Sequence, residues 1–174
     1  MPQVLTVDKW EDVITVLDNA KPRQGVVQIF THGQPGDPNP LAYVPAKLWI
    51  DRETNEFAEG EKFASVLKGY DCAFVTVCYS YNMIATMLEK DKSEIKHLIV
   101  CEGHLSDDEL TQVAVAFYGA LLYKKLTIAS AARVAAKFLD QVIVKSQRSV
   151  KLHYYQNGIE IPIDEIKFEK ALSK

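Results

Sequence analysis

The stretch Cys72–Val77 is the sequence feature that most constrains the fold. Its six consecutive residues carry no charge, and several are β-branched. Such a run is typical of a parallel strand that is covered on both faces. Cys78 follows directly, and Tyr79 and Ser80 turn the chain polar. Because the carboxyl ends of strands border the crevice in open α/β sheets, the sequence predicts that Cys78 lies at the functional edge of a sheet.

A second apolar run, Val26–Phe30, leads within three residues to His32 and Gly33. Two parallel strands of one sheet would present His32 and Cys78 at the same edge. An imidazole beside a thiol takes its proton, and the thiolate is then a nucleophile. The backbone N–H groups of Gly33 and Cys78 would form an oxyanion hole for a tetrahedral intermediate. The two runs therefore predict a Cys–His dyad.

The rest of the chain alternates between helical and strand patterns. The further predicted elements are helices around Trp10–Leu17, Glu59–Lys68, Asn82–Lys90, Ser106–Tyr123 and Thr127–Lys145, a strand or hairpin at Leu41–Asp51, a third buried strand at His97–Cys101, and strands at Leu152–Tyr155 and Ile159–Ile163. Asn157-Gly158 separates the last two strands and is a strong hairpin signal. We expect one domain over residues 1–174, a three-layer α/β/α sandwich with a mainly parallel sheet and a C-terminal β-hairpin.

Composition narrows the function classes. The 174 residues include 20 basic and 23 acidic ones, well mixed, so no basic surface is indicated for nucleic acid or anionic lipid. No apolar run approaches the length of a membrane span, and the N-terminus does not have the pattern of a signal peptide, so a cytoplasmic location is expected. Three cysteines without framework spacing suit reduced thiols, and Cys72 and Cys101 are assigned to core packing. No cofactor and no metal is expected.

The order of these motifs resembles the caspase-like cysteine peptidases, which include caspases, metacaspases, gingipains, separases and bacterial CHAT domains. An apolar strand leads into His32-Gly33, and a later one leads into Cys78. The block Glu102–Leu110 followed by Ala116–Leu122 looks most like a CHAT domain, in which a strand leads into an acidic turn and a helix carrying Phe-Tyr and paired leucines. The resemblance extends from about Val26 to Leu139.

The resemblance implies a cysteine endopeptidase that acts on protein or peptide substrates. His32 would be the general base and acid, and Cys78 the nucleophile. It also implies latency until a regulatory protein partner or a processing event orders the loops. The charged stretch Lys90–Lys92 is a candidate processing site.

Substrate choice is inferred from the acidic turn. In separases, which resemble CHAT domains here, an acidic residue after the third strand reads a basic side chain before the scissile bond. The matching positions are Asp107, the first choice, and Asp108. A carboxylate pairs with Lys or Arg and repels an acidic side chain, so cleavage after Arg or Lys is expected. Ser106 and Glu109 also match a capping box, so helix capping is the alternative role of this turn.

The residues around the predicted nucleophile leave a second reading open. Family cysteines commonly follow a small residue and precede small or polar ones, whereas Val77 and Tyr79 flank Cys78. Glu102-Gly103-His104 stands where an aromatic residue often precedes the acidic turn. With the small size of the domain, these departures also fit a non-catalytic caspase-like module that binds a protein partner.

Other uses of the cysteine fit the sequence less well. A phosphatase loop needs an arginine six positions after the cysteine, where the chain has Ile84. A nucleophile elbow needs small residues where Thr76 and Ser80 stand. A zinc site built from Cys78, Cys101 and His104 has no second paired unit. A nucleotide site is poorly supported because no glycine-rich phosphate loop follows either strand.

Overall fold

The structure, a computed structural model, describes residues 10–19, 25–30, 33–34, 47–51, 56–59, 67, 69–81, 95–143 and 149–171. The helices are α1 (Trp10–Asn19), α2 (Asp107–Tyr118), which continues as a π-helical turn (Gly119–Tyr123), and α3 (Ile128–Ile143). The strands are β1 (Val26–Phe30), β2 (Gly33–Gln34), β3 (Lys47–Asp51), β4 (Glu56–Glu59), β5 (Cys72–Thr76), β6 (His97–Glu102), β7 (Lys151–Gln156) and β8 (Ile159–Ile161). The predicted helix Asn82–Lys90 lies outside the described residues, as does most of Glu59–Lys68, whose first residue ends β4.

The main sheet has the strand order β1-β5-β6-β7-β8. β1 and β6 both pair with β5 in parallel, whereas β7 pairs antiparallel with β6 and with β8. Since β8 therefore points the same way as β6, four of the five strands share one direction. β2, β3 and β4 form a separate antiparallel sheet. The chain thus has a mixed α/β fold, and the predicted strands of the main sheet are present.

The two faces of the main sheet are buried by different elements. One core cluster contains Leu17 of α1 with Leu67, Tyr70, Ala73, Val75, Val77, Ile95, Leu98, Val100 and Tyr155. The other contains Cys72, Phe74, Ile99 and Cys101 with the buried residues of α2 and α3. Alternate residues of β5 and β6 belong to opposite clusters, because successive side chains of a strand point to opposite faces. This two-sided burial explains the uncharged run that the sequence contains.

Single contacts tie the helices to each face. The Tyr70 hydroxyl donates to the Leu17 carbonyl at 2.6 Å, which joins α1 to the segment before β5. On the other face the rings of Phe74 and Phe117 lie 4.8 Å apart between centroids, so that α2 packs on β5. Burial of each such side chain contributes about 1.5–3 kcal/mol.

In the described part of the chain, no helix has both the length and the apolarity needed to cross a membrane.

His97, at the start of β6, forms a hydrogen bond with the buried Tyr154 of β7. Its Nδ1 lies 2.6 Å from the hydroxyl oxygen of Tyr154, which is fully buried. Burial lowers the pKa of His97; the nearby Asp71 charge opposes this shift, and Lys96 adds to it. Burial also raises the pKa of Tyr154. The pair is therefore neutral, and the hydroxyl donates to Nδ1 when the ring proton is on Nε2.

The His97–Tyr154 pair predicts that the free energy of unfolding falls in acid. Because the folded protein lowers the pKa of His97 below its usual 6.5, the unfolded chain takes up this proton first, and the free energy of unfolding falls as the pH drops below about 6.5. Urea titrations between about pH 7.5 and pH 5 should show a steeper fall for the wild type than for His97→Gln. His104→Gln, which changes an exposed histidine, is the control. Identical pH dependence of the wild type and His97→Gln would contradict this assignment.

Candidate functional site

The ends of β1 and β5 are fastened to each other by one side chain. Thr76, the last residue of β5, donates its hydroxyl proton to the Ile29 carbonyl at 2.9 Å and accepts from Nε2 of Gln28 at 3.2 Å. Its backbone partner in the parallel register is Phe30, the last residue of β1. The two strands therefore end side by side at one edge of the sheet, and Cys78 follows two residues beyond Thr76.

Cys78 contacts the segment that precedes α2. Its thiol donates to the Leu105 carbonyl at 3.3 Å, and the Leu105 N–H is 3.4 Å from the sulfur. The Cys78 side chain is buried, with 7% exposed. Ser106, which follows Leu105, is the N-cap of α2, so the sulfur lies close to the amino end of this helix.

The turn after Cys78 is held by the segment at the end of β6. Tyr79 has a left-handed backbone with φ of 60°, and its N–H donates to the Gly103 carbonyl at 3.0 Å. The buried hydroxyl of Ser80 accepts from the Cys101 N–H at 2.8 Å and lies 3.2 Å from the Val75 carbonyl. Because several bonds act on consecutive residues, the backbone at Cys78 has a fixed position relative to β6.

The three described cysteines differ in exposure, since Cys78 is 7% exposed and the other two are not. Cys72 and Cys101 are fully buried in the core. Burial raises the pKa of the Cys72 thiol to about 12, helped by the Asp71 charge. Burial also raises the pKa of the Cys101 thiol, and the charges of Cys78 and Glu102 add to that rise. Both thiols stay protonated at neutral pH, so Cys78 is the best candidate nucleophile among them.

Ser106 and Glu109 cap α2, whereas Asp107 and Asp108 between them do not take part in the cap. The Ser106 N–H donates to Oε2 of Glu109 at 2.8 Å, and the Glu109 N–H donates to the Ser106 hydroxyl oxygen at 3.3 Å. This confirms the predicted capping box. Asp107 and Asp108 lie in the first turn of α2 with exposed side chains, two and three residues beyond Leu105. Their carboxylates are therefore not the groups that form the cap.

The predicted base is outside the described residues. His32 is not among them, so the structure does not test its distance from Cys78. Gly33 begins β2 and pairs with Leu48 in the smaller sheet. The structure thus brings Cys78 and the acidic turn together at one edge, and the roles of His32 and Gly33 remain predictions from the sequence.

A polar cluster that the sequence did not predict lies beside this edge. Nε2 of His153 is 2.9 Å from Oε2 of Glu102, and its Nδ1 is 2.6 Å from Oε1 of Glu160. Both ring nitrogens donate to carboxylates only in the imidazolium form. The Tyr81 ring, three residues after Cys78, stacks on His153 at 3.8 Å between centroids. The cluster thus links β6, β7 and β8 to the segment that follows Cys78.

Only the position of Glu102 at the end of a buried strand was a signal for this cluster, because His153 reaches it through the β6–β7 register.

The candidate zinc ligands Cys101 and His104 differ in burial, since Cys101 is fully buried while His104 is exposed. Across the described ranges, no three His, Cys, Asp or Glu residues are grouped in a way that would hold a metal ion.

No protein family model matches the chain, and no curated protein matches its sequence significantly. Function is therefore inferred from the geometry at this edge of the sheet and from the order of the motifs.

The state of the cysteines predicts selective alkylation. In the native protein at about pH 8, iodoacetamide should modify Cys78 at least about tenfold faster than Cys72 or Cys101, because Cys78 is 7% exposed whereas the other two are fully buried and have raised pKa values. Peptide mass spectrometry after timed quenching measures the three rates, and Cys78→Ser is the control for assignment. Equal rates at all three cysteines, or faster modification of Cys101, would contradict the described environments.

Gly103, whose carbonyl accepts from Tyr79, allows a matched test of how closely the Ser149 backbone approaches it. Gly103 and Gly25 both have positive φ, 89° and 117°, but a Cβ on Gly103 would lie 2.7 Å from the Ser149 carbonyl oxygen whereas one on Gly25 meets nothing within 4 Å. Gly25→Ala should cost about 1–3 kcal/mol of unfolding free energy from the backbone alone.

Gly103→Ala should cost about 1–3 kcal/mol more than Gly25→Ala, because the Ser149 backbone must also shift. Chemical denaturation of both variants measures the difference. Equal losses of unfolding free energy in the two variants would show that the close approach of Ser149 adds nothing to the cost of a side chain at Gly103.

Proposed function

We propose that the chain is a caspase-like cysteine endopeptidase, similar to a bacterial CHAT domain, with a Cys78–His32 dyad. The supporting observation is the parallel register of β1 and β5, in which Phe30 is opposite Thr76. His32 and Cys78 each follow these paired residues by two positions. A dyad that bridges neighbouring strand ends requires this relationship between its two members.

The finer architecture we propose is a three-layer α/β/α sandwich with a C-terminal β-hairpin. It is supported by the burial of β5 and β6 against α1 on one face and against α2 and α3 on the other. The turn Asn157-Gly158 between β7 and β8 supports the hairpin. In this arrangement the described helices cover the faces of the sheet, so a cleft for a peptide is expected at the strand ends.

The proposed reaction is acyl transfer through a thioester. His32 takes the Cys78 proton, and the sulfur attacks the carbonyl carbon of the scissile peptide bond. The N–H groups of Gly33 and Cys78 hold the negative oxygen of the tetrahedral intermediate. His32 then donates its proton to the leaving amine as the C–N bond breaks. Water, deprotonated by His32, attacks the thioester and releases the acid and the Cys78 thiol.

The contacts of Cys78 support a latent resting state. In this state the thiol proton is engaged by the Leu105 carbonyl, and the side chain is 7% exposed. The sulfur must exchange this partner for His32 and the substrate before attack. The Leu105 N–H and the amino end of α2 favour the thiolate once the proton has left. A regulatory protein or cleavage at Lys90–Lys92 would supply the rearrangement.

Specificity for Arg or Lys is assigned to Asp107, with Asp108 beside it. Both carboxylates are exposed, and the capping box leaves them available to a substrate. Leu105, two residues before Asp107, touches the Cys78 sulfur, so the turn lies near the reacting atom. A basic side chain before the scissile bond would form a charge-assisted hydrogen bond with this turn.

A second candidate function is a non-catalytic caspase-like module that binds a protein partner through its sheet edge or helices. The observation that favours it is the burial of Cys78 together with its two-way contact with Leu105. A purely structural cysteine has such an environment. In this case Cys78→Ala would retain the full biological effect of the protein.

The peptidase predicts a defined set of rates. A fluorogenic peptide panel with Arg, Lys, Leu or Asp before the cleaved bond should show turnover after Arg and Lys, and Cys78→Ala should reduce it at least about 10³-fold. Cys72→Ala, which changes a core thiol, is the matched control and should retain activity. Asp107→Asn should raise KM for the Arg peptide by about tenfold with kcat nearly unchanged, because it removes a binding charge.

Since the resting chain is expected to be latent, the panel is run before and after limited proteolysis. A peptidyl-Arg acyloxymethyl ketone, which alkylates an active-site thiol, should label Cys78 in the active form. Preference for Asp would refute the assigned specificity. Absence of both turnover and labelling in every form would favour the binding module.

A further inference from the structure

His153 of β7 lies between two carboxylates that come from the strands on either side of it. Its Nε2 is 2.9 Å from Oε2 of Glu102 in β6, and its Nδ1 is 2.6 Å from Oε1 of Glu160 in β8. The His153 side chain is 15% exposed, whereas both carboxylate side chains are half-exposed. A protonated imidazole donates to both carboxylates at once, so the ring is fixed in position and in rotation.

The Glu160 carboxylate is itself held by β7. The Tyr155 hydroxyl donates to its Oε2 at 3.3 Å. Burial raises the pKa of Tyr155, and the Glu160 charge adds to that rise, so the hydroxyl keeps its proton. Both oxygens of Glu160 therefore have partners on β7, and the orientation of the His153 ring is determined by the strands of the sheet.

The fixed ring of His153 supports Tyr81. The two rings stack with their centroids 3.8 Å apart and their planes inclined by 29°. A flat cation on the face of an aromatic ring is attracted to it. Tyr81 is three residues beyond Cys78 and lies in no strand of the main sheet, so the stacking ties its side chain to β7.

The turn after Cys78 needs anchors because its backbone is strained. Tyr79 has a left-handed φ of 60°, which a residue with a side chain adopts only where its surroundings hold it there. Its N–H is bonded to the segment that follows β6. The Glu102 carboxylate, in β6, reaches Tyr81 through His153. Two residues of the turn are therefore anchored to the same end of β6.

We propose that His153 is a positioning residue for Cys78, and that the clamp formed by Glu102, His153 and Glu160 keeps the turn closed around the thiol by holding Tyr81. Backbone pairing already joins β6, β7 and β8, so the clamp is not required to assemble the sheet. Its consequence for catalysis rests on the proposed peptidase, in which a nucleophile on a loose turn is less often aligned with its base and substrate. The hold on the turn does not depend on that function.

The test is alkylation of the native full chain by iodoacetamide, followed separately at each cysteine by peptide mass spectrometry. Because Cys78 is 7% exposed, its modification requires transient opening of the turn. His153→Gln removes the charge and the stacked ring, and should speed modification of Cys78 at least about fivefold. The rates at Cys72 and Cys101 should not change, because these fully buried thiols react only when the core opens.

His153→Arg is the rescue variant. A guanidinium is planar and always charged, donates to two carboxylates and stacks on tyrosine, so this variant should keep the wild-type rate at Cys78. Glu160→Ala removes half of the clamp from β8, which is three strands from β5, and should also accelerate Cys78. Glu165→Ala, which changes an exposed glutamate in the 3₁₀ turn that follows β8, is its control and should not.

His97→Gln is the matched control for His153→Gln. It removes a histidine contact between the same two strands, but at the opposite end of β6, and should not accelerate Cys78 selectively. Equal acceleration at all three cysteines in His153→Gln would show that the clamp only stabilises the fold. An unchanged rate at Cys78 would show that the clamp does not hold the turn. Either result would overturn the proposal, and neither depends on turnover of a peptide, so failure of the proposed peptidase is distinguishable from it.

Discussion

The parallel pairing of β1 with β5 is the interaction on which the rest of the site depends. β5 is buried on both faces, so its backbone groups must be satisfied by neighbouring strands. β1 and β6 supply those partners in a parallel register, and Thr76 adds a side-chain bond to the Ile29 carbonyl at the strand ends. Because this pairing fixes where β1 and β5 end, it also fixes where the chain begins the turn that carries Cys78.

The turn itself is held from the other side by the end of β6. Tyr79 is bonded to Gly103, Ser80 to Cys101, and Cys78 to Leu105. Each contact joins the turn to the segment that leads into α2. A change in the position of α2 would therefore move the environment of the Cys78 sulfur. This coupling gives a physical route by which a partner bound to α2 would alter the proposed site.

Local patterns predicted the parts of the fold that local physics determines. The uncharged run at β5 and the Ser106–Glu109 capping box each depend on neighbouring residues, and each has its expected role. The helix predicted to reach Tyr123 does so, but its last five residues form a π turn that helical periodicity does not reveal.

Contacts that depend on long-range register were not predictable. His153 meets Glu102 and Glu160 only because β7 pairs with both β6 and β8. The contact between Cys78 and Leu105 likewise joins two separate strand ends, so no spacing in the sequence indicated it. For the candidate site, the sequence predicted that Cys78 follows a buried strand, whereas the rigid turn and the resting contact of the thiol required the structure.

The separation between the Cys78 sulfur and the nearer ring nitrogen of His32, measured in a crystal structure, tests the central claim most directly. A competent dyad predicts about 3 to 4 Å, or somewhat more in a resting enzyme, across a gap that solvent reaches. Side chains that point into different compartments, with Cys78 sealed from solvent, would contradict the dyad and leave the partner-binding module as the function of the fold.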